Sequence, residues 1–153
     1  MTDKLEALLA DRKQQTDALR SDRRQALEDW KRAAQLLLDQ IEEWLKPLAQ
    51  RDYLRMAKEG KVIVEDEYGQ YKLHLLRVRT ADGRDVVIEP VGLNVIGGLG
   101  RIDVKTESES FMVVREADGG WVLAKRRPGG GPPEKRVWSE EDFRDELADL
   151  LEG

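Results

Sequence analysis

The stretch VGLNVIGGLGR, residues 91–101, concentrates four glycines beside one arginine. Free backbone N–H groups in such a run can cradle a phosphate when a cation stands next to them. Gly92, Asn94, Gly97, Gly98, Gly100 and Arg101 are therefore a candidate ligand or partner loop, with Arg101 as counter-charge. The run lacks the Gly-Lys-Ser/Thr ending of a P-loop and leads into a strand pattern instead of a helix. Its expected role is accordingly a glycine-permitted crossing, in which Leu93, Val95, Ile96 and Leu99 plug the core or meet a partner.

Other reactive residue types are sparse. His74 is the one histidine, and without a second His or a Cys it cannot build an ordinary zinc site. A general base would need an orienting acid and a nucleophile at its side. Acids cluster at Glu65, Asp66 and Glu67 and again at Glu107 and Glu109, but neither spacing fits an EF-hand loop and both fall at turn signals. No catalytic, metal or cofactor constellation emerges, and no cofactor is expected.

A second kind of chemistry is electrostatic. Lys125, Arg126, Arg127, Lys135 and Arg136 bracket the PGGGPP loop, and Arg20, Arg23 and Arg24 cluster earlier. Together they form a candidate anion or nucleic-acid patch, with Trp121 and Trp138 as neighbouring aromatic faces. Against it stands a net charge of −5, concentrated in residues 139–153, where seven acids accompany one arginine. Nucleic-acid affinity comes mainly from neutralising phosphates, so an acidic chain is a poor starting point for it.

The elements that would carry these residues read as follows. Leu27, Trp30, Ala34, Leu37, Ile41, Trp44 and Leu48 recur at alternating spacings of three and four, which is one apolar stripe on a helix. Such a face needs a protein surface against it. Written as heptads it places Trp30 and Trp44 at d, where two indoles fit a slim coiled coil poorly. Leu38 and Leu45 broaden the stripe enough to lie on a sheet. The seam therefore docks on the chain's own strands, on a second copy, or on each at different turns.

Upstream, Asp3 can cap a helix, and Leu5, Leu8 and Leu9 supply a short apolar face. From Asp11 to Arg24 the only sizeable apolar residue is Leu19. The helix either projects as an arm or breaks near Ser21 and Asp22 into a hairpin. Pro47 predicts a kink or a new start near Lys46, and Gly60 is the expected C-terminal stop.

From Lys61 onward the pattern predicts strands at 62–64, 71–79, 85–89, 101–106, 110–116, 121–127 and 136–138, with hairpins at Asp82-Gly83 and Asp118-Gly119-Gly120. In the second strand the apolar register slips between Leu75 and Leu76, which predicts a bulge or burial on both faces. Ser139 opens a capping box before a terminal helix with Phe143, Leu147, Leu150 and Leu151 on its apolar face.

The chain thus reads as α+β. A long N-terminal helix or helical hairpin (1–60) of coiled-coil character serves oligomerisation, and a mainly antiparallel sheet of five to seven strands (61–153) is closed by an amphipathic C-terminal helix. The absence of cysteine and of any apolar run long enough to span a bilayer point to a cytoplasmic protein with no membrane partner. The expected function is a non-enzymatic interaction, assembly or regulatory protein that forms a homo-oligomer, most simply a dimer, and binds a further protein. The alternative is a nucleic-acid-associated protein using the two basic patches.

Overall fold

The computed structural model describes residues 3–93 and 99–153. It opens with one helix, α1 (Lys4–Gln50), of 47 residues, about 70 Å at 1.5 Å per residue. Seven strands follow: β1 (Leu54–Glu65), β2 (Gly69–Thr80), β3 (Asp85–Gly92), β4 (Arg101–Lys105), β5 (Ser110–Arg115), β6 (Trp121–Lys125) and β7 (Glu134–Val137). A second helix, α2 (Glu140–Glu152), ends the chain. The strands pair antiparallel in chain order as an open meander, so the architecture is α+β.

At its start α1 is capped by the Asp3 carboxylate, which accepts from the Glu6 N–H at 2.7 Å. It then passes without interruption through Ser21 and Asp22, so the hairpin is not formed and the helix is continuous. Pro47 lies within its last turn, and no second helix starts there.

The expected stop at Gly60 is overturned. Asp52 adopts φ 60°, and the N–H groups of Asp52 and Tyr53 donate to Ala49 O and Leu48 O, each at 3.0 Å. This is a Schellman ending with aspartate in the position glycine usually takes, which Asp tolerates better than most side chains. Leu54 and Ala57, which continue a helical spacing, belong instead to β1. They are held there by an unbroken ladder with β2 from Leu54↔Thr80 to Glu65↔Gly69. Tertiary pairing overrides the local preference.

That constant register also decides between the two expectations for β2. No bulge interrupts the β1–β2 ladder, and Leu75 and Leu76, neighbours on opposite faces, are both buried. Only Leu76–Arg79 pair with β3, so past Leu76 the β1–β2 ribbon leaves β3. Beyond that point Tyr71 and Leu73 replace Leu76 and Val78 as the buried set. A register shift does occur between Pro90 and Gly92, against β4.

One core joins everything. Trp30, Ala34, Leu37, Leu38, Ile41 and Leu45 of α1 pack with Val86, Ile88, Ile102, Val104, Val113 and Leu123 of the sheet and with Phe143, Leu147 and Leu150 of α2. Ser139 caps α2 by accepting from Asp142 N–H at 3.1 Å. Arg84, from the β2–β3 turn, donates to the terminal carbonyls of Leu151 and Gly153, a cation at the negative end of the helix. At the junction of the two helices Trp44 and Trp138 lie 5.0 Å apart and Phe143 packs on both. Arg144 Nη2 donates to the Trp44 carbonyl at 2.7 Å, fixing α2 against α1.

Candidate functional site

The seam predicted on α1 is occupied by the chain itself. Trp30, Ala34, Leu37 and Ile41 are buried, and Leu27, Trp44 and Leu48 pack at its margins. From Ala26 to Gln50 the fully exposed positions, Glu28, Arg32, Leu36, Gln40, Glu43, Lys46, Pro47 and Gln50, trace one narrow line along the helix. Upstream the situation reverses. Every residue from Asp3 to Gln25 is exposed, so about six turns of α1 project from the body as an arm.

The arm carries Leu5, Leu8, Leu9 and Leu19 at 63%, 45%, 53% and 57% exposure. Their azimuth is informative. Leu19 lies eleven residues before Trp30, about three turns, and Leu5 lies twenty-five before it, about seven turns. The leucines therefore continue, beyond the edge of the sheet, the same face that Trp30, Leu37 and Ile41 bury within it. The sequence signal for this was present in the phase of Leu5, Leu8, Leu9 and Leu19 relative to Trp30. It takes an unbroken helix to make the phase meaningful.

Where the arm meets the body, polar groups fix Trp30. Its indole Nε1 donates to Tyr71 Oη at 3.2 Å, and Tyr71 in turn donates to the Glu65 carboxylate. The same carboxylate accepts from Leu93 N–H at 3.1 and 3.2 Å. Burial, reinforced by the Glu65 hydrogen bond, pushes the Tyr71 hydroxyl pKa well above the ordinary tyrosine value, so it stays a donor. Trp121 stands 6.3 Å from Trp30, ring to ring.

The glycine-rich loop is tied to this cluster at both rims. Gly92 faces the Glu65 carboxylate and Gly100 lies on the Trp30 ring. Arg101 is paired with Asp103 at 2.9 Å, so its charge is directed along β4. Asn94, Gly97 and Gly98, together with Val95 and Ile96, lie outside the described residues.

The two basic groups are not equivalent. Arg136 is engaged by α2, reaching Asp142 at 2.6 Å and Glu146 at 2.9 Å, and Lys125 approaches Glu146 at 3.9 Å. The acidic terminal helix thus neutralises part of the patch beside it. Arg126, Arg127 and Lys135 remain exposed around the Gly-Pro loop. Arg20, Arg23 and Arg24 are exposed on the arm, far along the chain from β6 and β7.

His74 is exposed on β2, beside Leu38, Glu42 and Lys58. Among the described residues no group of three His, Asp or Glu side chains is placed to share a metal ion. An open hollow of about 660 Å³ is lined by Asp52, Arg55, Arg79 and Asp82 at the C-terminal end of α1, some six turns from Trp30. No described helix is long and apolar enough to cross a membrane.

No family model matches the chain, and no curated protein or solved structure matches it.

Proposed function

We propose that this is a non-enzymatic interaction and assembly protein, cytoplasmic in setting, that self-associates through the N-terminal arm of α1 and presents its α+β body to a further protein. The observation that carries the reading is the arm itself. Residues 4–25 are helical with every residue exposed, and they carry four leucines on one face. Such a stretch lacks tertiary packing, the source of most helix stability in proteins. Its local supports are the Asp3 cap, the Gln15–Asp11 hydrogen bond at 3.2 Å and the Lys13–Asp17 pair at 3.0 Å, worth about 1 kcal/mol for the cap and about 0.2–0.5 kcal/mol for each pair. A partner surface on the leucine face supplies what is missing.

Sedimentation equilibrium of the full chain at tens of micromolar tests this. The expected result is a dimer that becomes a monomer in the Leu9→Asp/Leu19→Asp variant, with the same folded body because both positions are exposed. A full-length monomer at that concentration removes the proposal.

A second reading rests on Arg20, Arg23 and Arg24, which are exposed and form no ion pair among the described residues. They suit contact with a nucleic-acid backbone. A filter-binding series against salt tests it: binding that collapses steeply with ionic strength supports the reading, and none at low salt eliminates it.

A further inference from the structure

We infer that two copies of the chain pair through their arms in antiparallel orientation, with residues 3–25 of one overlapping residues 25–3 of the other about a centre at Gln14. This rests on the self-association proposed above and specifies its geometry. Three observations carry it.

The first is the space available. From Ala26 onward the face that bears the arm's leucines is filled by the protein's own strands. A partner helix running parallel along that face would meet the sheet within two turns of Leu19, as would its mate. An antiparallel partner instead sets its Asp3 beside Gln25, and its own body lies beyond the far end of the first arm.

The second is the seam. Arg12, Thr16 and Arg23 share the face of Leu5, Leu9 and Leu19. Parallel pairing sets Arg12 against Arg12 and Arg23 against Arg23, and like charges in register oppose association. Antiparallel pairing about Gln14 sets Leu9 against Leu19, Arg12 against Thr16, and Leu5 against the aliphatic stem of Arg23.

The third is charge along the arm. Residues 3–11 carry Asp3, Glu6 and Asp11 with one lysine, Lys4, whereas residues 17–25 carry Arg20, Arg23 and Arg24 with Asp17 and Asp22. Antiparallel overlap places the acidic segment on the basic one, and parallel overlap places each on its like.

The chain has no cysteine, so single substitutions Ala7→Cys, Gln14→Cys and Ser21→Cys give one spin label per protomer on the exposed face away from the leucines. Dipolar spectroscopy on the full-length dimer should show the shortest label-to-label distance at Gln14. At Ala7 and at Ser21 the labels should be offset along the axis by about 21 Å, at 1.5 Å per residue. Equal distances at all three sites mean parallel arms and overturn this inference while leaving self-association intact. A dimer with no coupling at any site places the interface elsewhere and overturns it too. A monomer by sedimentation removes the self-association on which it stands.

Discussion

Gly100 abuts the indole of Trp30. Its φ is 139°, and a methyl group at its Cα would overlap Cζ3 and Cε3 of the ring. The loop rim therefore closes over the residue where the arm enters the body. Gly100→Ala forces a strained backbone and an overfilled core at once, and the expected loss is about 3 kcal/mol. Gly129→Ala, whose new methyl meets nothing within 4 Å, should change stability by no more than about 0.5 kcal/mol. Denaturant unfolding of the two variants checks the contrast.

Glu89 sits between Lys61, at 3.2 Å, and Lys105. Burial pushes its pKa up, but the hydrogen bonds from Lys105 and Lys61 and their charges outweigh it, so the folded protein holds the carboxyl below its ordinary pKa. A depressed carboxyl contributes stability above its unfolded value, and that contribution fades as pH falls through the folded one. The wild type should therefore lose stability below about pH 4. In Glu89→Gln this part of the acid slope should be absent. Unfolding free energies measured between neutral pH and pH 3 report the difference in slope.

Phe143 is fully buried and touches Trp44, Phe111 and Trp138. It is the side chain through which α2, α1 and β5 meet. Phe143→Ala should cost about 4 kcal/mol. Because it packs against Trp44, about five turns beyond the arm, the sedimentation behaviour of the folded fraction should be unchanged. Thermal unfolding and sedimentation on one sample test both statements.

Asp52 holds φ at 60° to end α1. Glycine adopts that conformation without the steric penalty of a Cβ, so Asp52→Gly should stabilise the fold by about 0.5–1 kcal/mol. For a chain of this size that is a rise of about 1–4 °C in Tm. A decrease would mean that the Asp52 side chain contributes more than its backbone costs.

Much of the architecture was legible because it depends on local periodicity. The three-four spacing from Leu27 to Leu48 placed the buried face of α1, and runs of β-branched and aromatic residues between turn signals placed β2 to β6. The Ser139 box placed α2, since the cap and the apolar face both lie within a few residues of each other. The two hairpins at Asp82-Gly83 and Asp118-Gly119-Gly120 were likewise local. Misreadings arose where distant residues decide. Leu54 and Ala57 fit a helix until the β2 ladder takes them, and Gly60 is a better helix stop than Asp52 by residue type alone. The partial pairing of Arg136 and Lys125 with α2 was hidden because it joins β6 and β7 to a helix folded back on them.

By itself the sequence determined which face of each element is apolar, because side-chain direction follows from backbone period. Only the tertiary structure decided how far each face is covered. Within the body the α1 stripe is sealed by strands and α2 of the same chain, whereas before Ala26 the helix and its leucines run on where the sheet no longer covers them. Periodicity is a property of the chain, whereas coverage depends on where another element ends in space.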